Sequence, residues 1–208
     1  IGIPVAMLVA TIAGLLVVVP GWYAVMAGAT GDWTLFAWYV AAMAGAGCAA
    51  FSLRASSVPA ALRSAALPLA AGSSVFALVY GLAHLATHTP VPVGAAVAAF
   101  ARYSFLYFPA SFLLEEVTFR GALDAHVHHD GERGGWRSAV FVSALWGLWH
   151  LPVSTGVSLP VLVARLVAVH VLLGVPLSMA WRRSRNLSGP ALAHAVNDAV
   201  RNALMLGL

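Results

Sequence analysis

The stretch Leu113-Leu114-Glu115-Glu116-Val117-Thr118-Phe119-Arg120-Gly121 decides how the rest of the chain is read. It sets two adjacent carboxylates at the end of an apolar run that begins at Gly94. Ionisable groups at membrane depth are costly and rare, so they mark a working site rather than packing. Two other stretches offer partners of the right kind at similar depth: Trp146-Gly147-Leu148-Trp149-His150 and His194-Ala195-Val196-Asn197-Asp198. Everything else reads as scaffold for these three patches.

Composition agrees with a membrane setting. Of 208 residues, 61% are hydrophobic and only 9% charged, where a soluble domain carries about a quarter charged residues. The protein is therefore expected to be integral to a membrane, with the lipid bilayer as its first partner. The first apolar run lacks a basic leader and a clear small-residue cleavage site, so no cleavable signal peptide is expected. A single cysteine, Cys48, excludes an internal disulfide and a multi-cysteine metal cluster. The net charge of +4 sits in loops, as membrane topology requires, and does not point to nucleic acid.

A membrane helix needs roughly 20 apolar residues. Runs at 3–29, 34–53, 65–84, 94–121, 138–151, 159–181 and 190–208 meet or approach that length. They predict an all-α, polytopic membrane helix bundle of about seven transmembrane helices, forming one domain over residues 1–208. Arg54 and Arg63, then Arg133 and Arg137, then Arg182, Arg183 and Arg185 fall in alternate loops, and the loops between them hold no Lys or Arg. The positive-inside rule puts the basic loops in the cytoplasm and the N-terminus outside.

The run at 138–151 is too short. Pro152 biases Leu151 away from helical geometry, and fourteen residues rise about 21 Å, less than a ~30 Å hydrocarbon core. A helix that ends inside the membrane leaves carbonyls that only protein or water can satisfy. His150 is thus expected at the end of a short broken helix, facing a wet cavity.

Counted from the cytoplasmic helix ends, Glu115 lies about 13 Å deep, His150 about 19 Å, His194 about 10 Å and Asp198 about 16 Å, all in one layer. His84 and His88 belong to the opposite face, whereas His126, His128 and His129 fall in a cytoplasmic loop. Within the layer, Glu116 and Arg120 are i,i+4 neighbours and are expected to form a structural ion pair. Glu115 then points about 100° away, into the cavity. His194 and Asp198, also i,i+4, can face inward together, with Trp146 and Asn197 as supporting residues.

A carboxylate and a histidine around one water can activate that water as a general base, and a second histidine with a polar neighbour can stabilise an oxyanion. Glu115, His150, His194 and Asp198 would equally serve as ligands for zinc or another divalent metal. Both readings end in hydrolysis. No Gly-x-Ser-x-Gly elbow competes with them.

Glu-Glu-Val-Thr-Phe-Arg-Gly, Leu-Trp-Gly-Leu-Trp-His-Leu-Pro and His-Ala-Val-Asn-Asp, in that order, resemble the three motifs of the CPBP (CAAX protease and bacteriocin-processing) family. The family pattern is EExxxR, then FxxxH, then HxxxN or HxxxD. The resemblance implies a catalytic core over about residues 93–208. It also implies an intramembrane endopeptidase acting on membrane-associated peptide or protein substrates, prenylated CAAX-type ones included; a bacterial plasma membrane is the expected location, and the Arg loops at the helix ends put the opening of the site on the cytoplasmic side. By position, Glu115 and His150 would activate the water, while His194 and Asp198 would hold the oxyanion or bind metal. Trp146 departs from the family's Phe, and Asp198 stands where Asn is common.

A second class of reading is a non-catalytic scaffold or bacteriocin self-immunity protein with the same fold. Intact Glu115, His150 and His194 favour the enzyme. His170 reads as structural, Arg165 as snorkelling toward an interface, and Trp22, Trp33, Trp38 and Trp181 as interfacial belt residues.

Overall fold

The computed structural model describes residues 55–208, apart from Pro152, Val153 and Thr155. The runs expected at 3–29 and 34–53, together with Cys48, Arg54 and the first three belt tryptophans, lie outside the described residues. The described residues are helical and contain no strand. Five long elements carry the fold: α1 (Val58–Thr87), α2 (Val93–Ser111), α3 (Trp136–Trp149), α4 (Leu159–Ser184) and α5 (Ser188–Leu204).

Helix α1 starts on Ser57, whose hydroxyl accepts from the Ala60 amide at 3.3 Å, the usual device for an otherwise unpaired first-turn donor. It ends on His88 in the left-handed region, φ 54. Buried His84 spans this end: Nδ1 lies 2.9 Å from the Thr89 carbonyl and Nε2 lies 2.8 Å from the Leu204 carbonyl of α5. His84 is a clasp between two helix ends.

Helices α1 and α4 are long and apolar enough to cross a membrane. Large apolar side chains such as Leu67, Leu78 and Leu85 stand more than half exposed along α1. That face suits lipid and has no place in water. The expected seven spans are not reached among the described residues. Helix α3 has 14 residues, and α5 has 17 with Asp198 and Arg201 inside it. The run behind Glu115 changes helix type before it finishes.

That change is the main departure from the expected fold. After Ser111 the chain continues as a π-helix over Phe112–Asp124, followed by a single turn at Ala125–Val127. The π-helix bonds i to i+5, is rare, and commonly marks functional sites. Its inward side chains Glu116, Arg120 and Asp124 are all fully buried. Arg182 of α4 meets Asp124 through Nη2 at 2.5 Å and Nε at 2.9 Å, and its side chain also reaches the Gly135 carbonyl and the Ser138 hydroxyl. This two-pronged pair ties the end of the π-helix to α4.

Helices α3 and α4 pack closely because two glycines permit it. A Cβ on Gly147 would stand 2.6 Å from the Leu166 carbonyl oxygen, and one on Gly174 would meet the Ser143 hydroxyl at 2.5 Å and Arg120 Nη2 at 2.9 Å. The core beneath the site gathers Phe119, Val142, Trp146, Leu177 and Ala193. Trp181, expected in an interfacial belt, is instead 7% exposed, whereas Arg165 is exposed as expected.

Candidate active site

Helix α3 stops at Trp149, with His150 as its C-cap, close to the expected end. His150 Nδ1 lies 2.9 Å from the Trp146 carbonyl, one of the orphan carbonyls of that broken end. With its Nδ1 proton given to that carbonyl, the ring presents Nε2 as an acceptor. Nε2 lies 3.8 Å from Glu115 Oε2.

Helix α5 supplies His194 to the same carboxylate. His194 Nε2 is 3.7 Å from Glu115 Oε2 and 3.4 Å from Asp198 Oδ2. Its Nδ1 is 2.7 Å from Glu116 Oε1. The three patches, separated by up to 83 positions between Glu115 and Asp198 (198 − 115), therefore meet around one imidazole. Glu115, His150 and Asp198 keep side-chain exposures of 12%, 25% and 14%, so water can reach them, while His194 has 5%.

Glu116 does more than the ion pair expected of it. The pair with Arg120 forms at 3.1 Å with both side chains fully buried, but the same oxygen also orients His194. Arg120 lies 4.2 Å from the Trp146 ring centre, so an aromatic face shares its charge. Trp146 contributes a further contact that phenylalanine could not make: its indole N–H donates to Glu115 Oε2 at 2.5 Å.

Two residues stand differently from expectation. Asn197 turns away from the cluster onto α1: its Nδ2 donates to the Pro68 carbonyl at 3.1 Å, and its Oδ1 accepts from Ser73 at 2.9 Å. It locks α5 against α1, and Gly72 is required there because a Cβ would collide with its amide. His170, read as structural, joins the aromatic group instead. Its ring centre is 4.5 Å from both Trp146 and His150, and its Nδ1 lies 2.7 Å from the Leu166 carbonyl.

As a metal site the donors fit in part. His150 and His194 both hold Nδ1 on a partner and present Nε2, as metal-binding histidines do. Yet among the described residues no three His, Cys, Asp or Glu side chains converge as a metal-binding group. Trp146 already donates to Glu115, and Arg201 lies 3.1 Å from Asp198. A cavity of about 320 Å³ elsewhere is lined by Asp124, His128, Asp130, Trp181 and Arg182, among others, and by none of the four candidate residues.

A membrane chain whose described helices bring the Glu115 and Asp198 carboxylates together with the His150 and His194 rings has the makings of a membrane-embedded hydrolase. Residues 98–200 match the family model described as type II CAAX prenyl endopeptidase Rce1-like. The CPBP resemblance is thereby borne out, through a matched segment that contains all three motifs. No curated protein and no solved structure matches the chain.

Proposed function

We propose that the protein is an intramembrane endopeptidase that hydrolyses CAAX-type, membrane-associated peptide substrates with a water activated by Glu115 and His150. One observation carries this reading. Glu115 Oε2 stands 3.8 Å from His150 Nε2 and 3.7 Å from His194 Nε2, beyond direct hydrogen-bond length yet close enough for one water to lie within reach of all three groups.

The steps follow from the groups in place. Glu115 takes a proton from the water as the oxygen attacks the scissile carbonyl carbon. His194, as an imidazolium with its Nδ1–H held by Glu116, donates from Nε2 to the oxyanion that forms. As the C–N bond breaks, the proton held by Glu115 or His150 passes to the leaving amine. We further propose seven membrane spans in a bacterial plasma membrane, an external N-terminus, and a site reached from the cytoplasmic side, on the strength of the alternate basic loops.

Purified protein incubated with a membrane-peptide library tests the enzyme against the scaffold or self-immunity reading. Glu115→Ala and His150→Ala should each slow cleavage by about 10²–10⁴-fold while melting near wild type. Wild-type turnover by a folded Glu115→Ala protein would remove the proposal. The paired Nε2 atoms favour one second reading, a metal held by Glu115, His150, His194 and Asp198, with zinc or another divalent ion acting as Lewis acid when bound. Under that reading Asp198→Asn removes an anionic ligand, and metal content and activity should fall together. Under the bridging-water reading Asp198→Asn retains the rate, because an amide donates where a carboxylate cannot.

A further inference from the structure

Asp198 is an awkward neighbour for a developing oxyanion. Its Oδ2 stands 3.4 Å from His194 Nε2, the nitrogen that must donate to the tetrahedral intermediate. Two like charges at such range repel strongly in a partly dry site. Glu115 and Glu116 already bring two carboxylates to His194. Arg120 offsets Glu116, so Asp198 needs a cation of its own.

Arg201, one helical turn further along α5, supplies it. Its Nη1 lies 3.1 Å from Asp198 Oδ1, the oxygen that does not face His194. The Asp198 carbonyl also accepts from Asn202 Nδ2 at 2.8 Å, which fixes the backbone beneath. The carboxylate therefore has one oxygen on the arginine and the other on the histidine, and cannot rotate freely between them.

We propose, resting on the hydrolytic reading above, that Arg201 is a positioning residue. Its guanidinium pins Asp198 toward His194 and cancels its charge, so that an acidic side chain serves beside the oxyanion where a neutral amide would need no help. The competing account is an ordinary i,i+3 helix pair. Arg201 is 36% exposed at its side chain, and pairs of that kind contribute little to stability and nothing to turnover.

A double-mutant cycle separates the two. In the detergent-purified full chain, Arg201→Gln should lower kcat by about ten-fold or more at little change in KM, the size of effect that directly coupled residues show. The rate of Asp198→Asn is the baseline of the cycle, and Asp198→Asn/Arg201→Gln should match that baseline, because no carboxylate is left to neutralise. Equal losses from Arg201→Gln in both backgrounds, or an unchanged kcat in the Asp198 background, would overturn the proposal. If Arg201→Gln does not purify folded, the double variant decides: activity equal to Asp198→Asn supports the pairing, and an inactive folded double variant refutes it. Glu115→Ala is measured alongside. Cleavage by that control would mean that the hydrolytic mechanism has failed, a result distinct from failure of the Arg201 pairing.

Discussion

Replacing Glu116 with leucine isolates what one buried oxygen does. Glu116 Oε1 is 3.1 Å from Arg120 Nη1 and 2.7 Å from His194 Nδ1, inside a site where Glu116 and Arg120 are fully buried. Glu116→Leu leaves the Arg120 guanidinium with the Trp146 face and no counter-charge, and breaking a buried pair from one side costs about 3–5 kcal/mol. For a chain of this size each kcal/mol moves the midpoint by roughly 2–4 °C, so Tm should fall by about 6–20 °C. Adding Arg120→Met removes the orphaned charge, and most of the lost stability should return, as apolar replacement of a whole buried pair is often neutral. Activity should not return. His194 has lost the acceptor that sets its angle, and a misplaced catalytic ring costs on the order of a hundred-fold. Thermal melts in detergent and peptide cleavage on the same preparations give both quantities. Recovery of stability and turnover together in Glu116→Leu/Arg120→Met would refute the claim that Glu116 orients His194.

Trp146→Phe keeps the ring beneath Arg120 and removes the N–H from Glu115; Tm should stay within about 2–4 °C while kcat falls about ten-fold. Trp146→Ala should also destabilise by about 3–5 kcal/mol. Glu132, in the loop before α3, is held down to about 2, from an ordinary 4.5, first by the Ser138 hydroxyl and then by the Ser138 amide. A folded value below the unfolded one means that its contribution is complete above about pH 4.5 and is lost as pH falls toward about 2. Hydrogen exchange over 133–138, corrected for intrinsic rates, should rise across that window in wild type and be flat in Glu132→Gln. For orientation, the exposed positions Arg183 and Ser158 serve as reporters. In a Cys48→Ala background an impermeant thiol reagent should label Arg183→Cys only from the cytoplasm and Ser158→Cys only from outside, and the reverse pattern would invert the topology.

Much of the site was legible because its residues violate their surroundings. Glu115, Glu116, His150 and His194 stand out in a chain with 9% charged residues, and the stop after Trp149 could be read from Pro152. The Glu116–Arg120 pair followed from helical spacing alone. What escaped needed the third dimension. The Asp124–Arg182 pair spans 58 positions, and no local pattern announces it. Asn197 sits beside Asp198 in sequence but on another face of α5, where Pro68 and Ser73 of α1 await it. His170 obeys the same membrane-depth logic that picked out Glu115, yet its neighbours Trp146 and His150 become visible only once α3 and α4 close over Gly147 and Gly174. Arg201 was within reach, since i,i+3 from Asp198 is a readable spacing. The count of seven spans rested partly on residues outside the described region, and the change of helix type after Ser111 has no signature in hydrophobic periodicity.

The π-helix has a bearing on how this chain tolerates change. A π-turn winds more slowly than an α-turn, so Phe112–Asp124 acts as a phase shifter between α2 and the buried stripe of Glu116, Arg120 and Asp124. Helix α2 can present one azimuth to its surroundings while the carboxylates take another, an offset that substitutions within a uniform α-helix could not supply. A π-turn takes up one more residue per turn than an α-turn, so loss of one residue before Glu115 can be absorbed by relaxation toward α-geometry, with α2 and the site both kept near their places. A single-residue insertion or deletion here is therefore taken up as a change of helix type, which spares both the packing of α2 on α5 and the placement of the cluster.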